Sequence, residues 1–158
     1  MPSVLIVETG RGDLGRTIVG RGAEVTVADD WESAIKACFH WFDRSALPSA
    51  VIVDTDDDHD ERGRILCDIH HLLGDYGIAR QVLLVAYTSQ VPELVELLRT
   101  HRTQRQLRTV DDYVRLRQVQ LVRYPELDLT SAYVLVLAKP VQVRELTQLM
   151  ALLGAAAN

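Results

Sequence analysis

Two patterns of apolar residues alternate along this chain. Short continuous runs occupy residues 4–7, 23–28, 50–53, 82–86 and 133–138. They are rich in Val, Leu and Ala, and all but 23–28, where Glu24 and Thr26 intervene, are continuous, as expected of strands buried on both faces. Between them, apolar residues recur three and four apart. Trp31, Ala34, Ile35, Cys38, Phe39 and Phe42 share one helical face, with Asp29 or Asp30 placed to cap its start. Ile65, Leu66, Ile69, Leu72 and Leu73 repeat that spacing ahead of Gly74 and Gly77, two stop signals, and Pro92 suits the first turn of a helix over ELVELL. Val143, Leu146, Leu149, Met150 and Leu153 form the inner face of a last helix. The first connection, GRGDLGRTIVGRG, has room for only about two turns and is interrupted by Gly20, a weak helix former.

This alternation predicts an α/β fold: a doubly wound, five-stranded parallel sheet with helices on both faces, in one domain over residues 1–158. Five strand–helix units need about 120 residues at ordinary element and loop lengths. The surplus falls at about 100–131, between the fourth and fifth strands. There Leu107, Val110, Val114 and Leu121 keep a thin helical spacing. The expectation is a helical insertion, with the helix after Pro92 running long or followed by a second one, and with YPELDLTS as the returning loop.

Composition narrows the function classes. With 47% hydrophobic and 25% charged residues the chain can close a core, so disorder throughout is excluded. No apolar run approaches the roughly 18 residues of a membrane span, and MPSVLIVETG sets a strand pattern where a signal peptide would begin, which points to a cytoplasmic protein. Cys38 and Cys67 are then expected as free, buried thiols. A net charge of −5 argues against a surface that coats nucleic acid. Yet seven Arg lie within residues 99–123 against two acids. Arg99, Arg102, Arg105 and Arg108 step by three, which on a helix makes a stripe able to dock an acidic partner or a second copy of this chain. A solvated face is the plainer alternative, and DNA contact is disfavoured because aromatic interleaving is missing.

In an open parallel sheet, ligands bind at the carboxyl ends of the strands. The residues there are Glu8 and Thr9, then Asp54, Asp56, Asp57 and Asp58, then Thr88 and Ser89, then Lys139 and Pro140. Carboxylates, a hydroxyl and a lysine on one edge suit a divalent cation and a phosphoryl group. Asp57, Asp58, His59 and Asp60 read more plainly as a solvated loop that caps the next helix. His70 and His71 lack partners at metal-ligand spacing other than His59, and read as ordinary helix residues.

These segments resemble the receiver domain of two-component response regulators, through VLIVET, AEVTVADDWESAIKA, AVIVDTDD, VLLVAYTS and YVLVLAKPVQVREL. The resemblance implies a signalling module, not an enzyme beyond its own phosphotransfer and dephosphorylation. Asp54 would accept a phosphoryl group from a histidine kinase or phosphotransfer protein. Glu8, Asp54 and the backbone carbonyl of Asp56 would hold Mg²⁺, while Thr88 and Lys139 would contact the phosphoryl group. Three departures stand out. Thr9 occupies the place of a second acid, which a hard cation would favour. Val136 stands where many receivers carry a switch aromatic, the nearest aromatic being Tyr133. The insertion falls in the segment that normally transmits the signal. A phosphorylation-independent pseudo-receiver, acting as an interaction or dimerisation module, is therefore the alternative. GRGDLG also matches the GxGxxG of Rossmann-like nucleotide-binding enzymes, although Gly22 follows Gly15 by only seven positions.

Overall fold

The computed structural model describes residues 2–9, 12–44, 47–77, 82–101, 105–123, 130 and 132–157. In chain order the elements are β1 (Ser3–Val7), α1 (Leu14–Gly20), β2 (Glu24–Ala28), α2 (Trp31–Arg44), β3 (Ala50–Asp54), α3 (His59–Asp75), β4 (Leu83–Thr88), α4 (Val91–Thr100), β5 (Gln106–Thr109), α5 (Val110–Arg123), β6 (Tyr133–Ala138) and α6 (Val143–Ala157). All pairings are parallel, and the strand order is β2-β1-β3-β4-β6-β5.

Strand residues divide by parity between two cores. Leu5, Val7, Val51, Val53, Leu84, Ala86, Val134 and Val136 face a core completed by α2, α3 and α4. Val4, Ile6, Ala50, Ile52, Leu83, Val85, Leu135 and Leu137 face one completed by α1, α5 and α6. Each helix is on the side that a right-handed crossover requires. Steps toward the β5 edge carry α2, α3 and α4 on one face, and the reverse steps β1→β2 and β5→β6 carry α1 and α5 on the other.

The five predicted runs are β1 to β4 and β6. The sheet has a sixth strand, β5, which among the described residues pairs only with β6, at the outer edge. Only Leu107 of its four residues is even partly buried. An edge strand with one neighbour needs no continuous apolar run, so this one left no hydrophobic signature. The expected second helix is present as α5, and the insertion is thus a strand–helix unit.

That unit removes the helical arginine stripe. Arg99 is on α4 and pairs with Glu96, and Arg108 is on β5 with its guanidinium over the ring of Tyr133 at 5.5 Å. Arg105 is buried at 4% exposure just before β5, and Arg102 lies outside the described residues. The spacing of three crosses a helix end and a strand start, so these side chains do not share one helical face. Burial leaves the Arg105 guanidinium unable to serve an external partner.

Local signals read well elsewhere. Asp30 accepts from the Ser33 amide at 2.7 Å, and Asp58 accepts from Glu61 at 3.1 Å at the start of α3. Gly77, with φ +69°, follows α3 in the left-handed conformation that glycine tolerates. The expected inner face of α6 needs one correction: Val143 is exposed, and Leu152 joins Leu146, Leu149 and Leu153 in the core instead. On α2, Ala34 and Cys38 are buried while Trp31 and Phe39 remain partly exposed, and the side chain of Phe42 lies outside the description. Cys38 and Cys67 are free and buried, and burial pushes both thiols up to about 11. Of YPELDLTS, only Thr130 is among the described residues.

Candidate functional site

The parallel sheet brings the carboxyl ends of β1, β3, β4 and β6 to one edge. Ladder-like bonds continue past the strand ends and fix their relative heights: the Thr55 amide donates to Tyr87 at 3.1 Å and the Lys139 amide to Thr88 at 2.9 Å. Glu8, Asp54 and Thr88 are all buried despite their polarity, at 3%, 7% and 0% exposure. Buried polar side chains need partners, so the contacts that these three make define the site.

Lys139 is the hub. Its ammonium donates to both carboxylate oxygens of Asp54, each at 2.9 Å, and also lies 3.1 Å from Asp56 Oδ2. It sits 4.5 Å from the centre of the Tyr87 ring, whose face favours a cation. Burial works against the ammonium, but the two carboxylates outweigh it and hold its pKa above the ordinary lysine value. The backbone amide of Asp56 adds a second kind of donor to Asp54, at 3.0 Å from Oδ1.

The Thr88 hydroxyl turns to Asp56 and the Gln90 amide, not to Asp54. It donates to Asp56 Oδ1 at 3.2 Å and accepts from the Gln90 amide at 2.9 Å. The Ser89 amide donates to both Asp56 oxygens at 3.1 Å. Burial raises the cost of charging Asp56, yet the bonds from Ser89 and Lys139 prevail and its pKa is lowered. The sequence assigned Asp56 only a backbone role. Its side chain, the Ser89 amide and the Tyr87 ring are the participants that sequence reasoning missed. An acidic loop gives no signal for which of its acids turns inward.

Glu8 closes the other side. A side chain on Gly12 would collide with the Glu8 carboxylate, and one on Gly15 would approach its Oε1 to 3.0 Å. Gly12 and Gly15 therefore make room for an acidic side chain of the chain itself. A dinucleotide pyrophosphate would meet that carboxylate, and α1 has only seven residues, so the geometry does not favour the nucleotide reading. Burial raises the Glu8 pKa, a bond from the Gly15 amide opposes the rise, and the charge of Asp54 adds to it. Among the described residues, Glu8 Oε2 is buried without a hydrogen-bond partner.

That orphaned oxygen fits a cation ligand. Among the described residues no cluster of three His, Cys, Asp or Glu side chains could hold a metal. Two carboxylates, Glu8 and Asp54, with one backbone carbonyl would suit an ion that retains several waters, as Mg²⁺ does. Thr9 supplies no acid, but its amide lies 3.4 Å from Asp57 Oδ2, which brings another carboxylate beside the loop after β1. Asp13 is also near enough for its charge to act on Glu8.

Val136 is buried in the core at 4% exposure. Tyr133, at the far end of β6 from the site, packs edge-on against Tyr113 with ring centres 6.1 Å apart. It is engaged with the inserted unit and away from Asp54.

No known family profile matches the sequence, and no curated protein matches it. Solved structures do. A response regulator receiver protein from Burkholderia phymatum aligns over 98% of this chain and 96% of its own length, with 18% identity and a TM-score of 0.53. A CheY-like response regulator receiver domain protein from Methanospirillum hungatei JF-1 aligns over 99% and 97%, with 14% identity and a TM-score of 0.58. The receiver domain of the Francisella response regulator 1452 aligns over the full length of both chains, with 14% identity and a TM-score of 0.51. The chain therefore has the receiver fold, with β5 and α5 preceding its last strand–helix unit.

Proposed function

We propose that this chain is a signalling receiver module that accepts a phosphoryl group on Asp54 from a histidine kinase or phosphotransfer protein. The observation that carries the reading is the grip of Lys139 on both oxygens of Asp54 at the carboxyl edge of a receiver fold. The ammonium orients both Asp54 oxygens and stands beside the place where a transferred phosphoryl group would bring its charge. In the transfer, an Asp54 oxygen attacks phosphorus, the phosphorus–nitrogen bond of the donor histidine breaks, and the imidazole leaves with the bonding pair. The product is a mixed anhydride on Asp54. Lys139 must shift from one Asp54 oxygen to the arriving phosphoryl oxygens. Mg²⁺, when bound by Glu8, Asp54 and the Asp56 carbonyl, would supply positive charge beside those oxygens.

The phosphorylation-independent alternative has a specific observation behind it: the Thr88 hydroxyl is already engaged by Asp56. In either case output would pass through protein contacts. The added β5 covers the outer edge of β6, so the surface offered there belongs to the inserted unit and includes Arg108.

The test is incubation with acetyl phosphate and Mg²⁺, followed by intact mass measurement. One added phosphate, removed by hydroxylamine and missing in Asp54→Asn, supports the acceptor reading. An unlabelled wild type under conditions that label another receiver supports the alternative.

A further inference from the structure

Oxygen-binding groups at this edge converge on one small volume: the Thr88 hydroxyl, the Ser89 amide and the Lys139 ammonium. All three contact a single anion, the Asp56 carboxylate, at 3.2, 3.1 and 3.1 Å. The other acids of its loop are engaged elsewhere. Asp57 reaches the Thr9 amide and Asp58 caps α3, so only Asp56 is turned inward.

A phosphoryl group attached to the neighbouring Asp54 would need the same donors, because a hydroxyl, an amide and an ammonium are what its oxygens can accept from. Both anions cannot use them together. They would sit side by side with one lysine between them, and like charges that close repel strongly.

We propose that the Asp56 carboxylate is a tethered stand-in for the phosphoryl group, filling its pocket and holding Thr88 and the loop after β4 in the anion-bound arrangement while Asp54 is unmodified. This rests on the reading of Asp54 as phosphoacceptor. Being part of the same chain, Asp56 competes as an intramolecular ligand, at an effective concentration far above that of a free anion. Modification of Asp54 therefore requires Asp56 to swing out.

The experiment follows the backbone amides of Ser89 and Gln90 by ¹H–¹⁵N NMR in wild type, Asp56→Ala and Asp56→Asn, with and without inorganic phosphate and Mg²⁺. In the wild type the Ser89 amide proton should resonate far downfield and ignore millimolar phosphate. In Asp56→Ala it should move upfield and return as phosphate is added. Asp56→Asn, nearly isosteric and uncharged, should shift in the same direction by less, and it serves if the alanine variant folds poorly. Acetyl phosphate should label Asp56→Ala on Asp54 about tenfold faster than wild type, the equivalent of one charge-assisted contact no longer to be broken.

An unchanged Ser89 resonance in both variants, or equal phosphate responses in wild type and variants, overturns the stand-in. Equal labelling rates, with both signals lost on Asp54→Asn, overturn it while leaving the acceptor reading intact. If no protein is labelled, the acceptor reading fails, and the Ser89 resonance alone decides whether Asp56 fills the pocket.

Discussion

Thr88 donates its hydroxyl proton to Asp56, 3.2 Å away, and not to Asp54, the carboxylate that Lys139 holds by both oxygens. The edge of the sheet thus carries two acids on one cation, with the hydroxyl assigned to the second acid. Stability, metal response and reactivity all follow from how those charges are shared.

Removing the shared cation should be costly. Lys139→Met leaves Asp54, at 7% exposure, and Asp56 facing each other without an ammonium. Breaking a buried pair typically costs 3–5 kcal/mol; partial exposure of Lys139 reduces the expected loss to about 2 kcal/mol. Urea unfolding at pH 7 measures it, and the loss should shrink in an Asp54→Asn background. Equal losses in both backgrounds would contradict the pairing.

Glu8 should be a stability cost without metal. Its raised pKa means the native state disfavours its charged form, so the penalty grows as pH rises through the unfolded value near 4.5 toward the folded value, and it is fully present above both. Glu8→Gln should therefore be more stable than wild type at pH 7 in chelator. Millimolar Mg²⁺ should raise the melting temperature of the wild type and leave Glu8→Gln unmoved.

The last two arginines of the former stripe should part company. Arg105→Glu places an anion where a cation is 4% exposed, and should cost about 3 kcal/mol or prevent folding. Arg108→Glu, on the exposed edge strand, should change stability by less than about 1 kcal/mol, the size of a surface cation–ring contact. Thermal unfolding of the two variants separates them.

His70 should add a pH dependence of its own. Burial, with the charges of Arg105 and His71 beside it, pushes its pKa down to about 4. An unfolded histidine takes up a proton near pH 6.5, so as pH falls from about 6.5 to about 4 the unfolded state gains a proton that the native state refuses, and stability is lost. Below about 4 both states are protonated and the loss stops growing. His70→Gln should lose less stability than wild type across that window, by about 1–3 kcal/mol. Parallel curves of unfolding free energy against pH for the two proteins would contradict this.

How much was legible in the sequence depended on burial. β1, β3, β4 and β6 are covered on both faces, and their continuous Val, Leu, Ile and Ala runs located them to within about two residues. The positions of Glu8, Asp54, Thr88 and Lys139 followed, because each comes directly after or at the end of such a run. β5 was not legible: Gln106, Leu107, Arg108 and Thr109 are joined to the sheet on one side only, and backbone bonds to β6 need no apolar side chains. The arginine spacing misled for a related reason, since a step of three has meaning only along one continuous helix. Nor could DTDDD reveal which acid turns inward. That is fixed by the Ser89 amide and Lys139, which come from other strands.

The most direct measurement traps the modified residue itself. Acyl phosphates are reduced by borohydride, so a phosphoryl group on an aspartate leaves homoserine in its place. The protein is treated with acetyl phosphate and Mg²⁺, reduced, digested and sequenced by mass spectrometry. Homoserine at residue 54, found in wild type and in larger yield in Asp56→Ala, is the expected result. Homoserine at another residue, or none in either protein, would contradict the assignment of Asp54 as the phosphoacceptor.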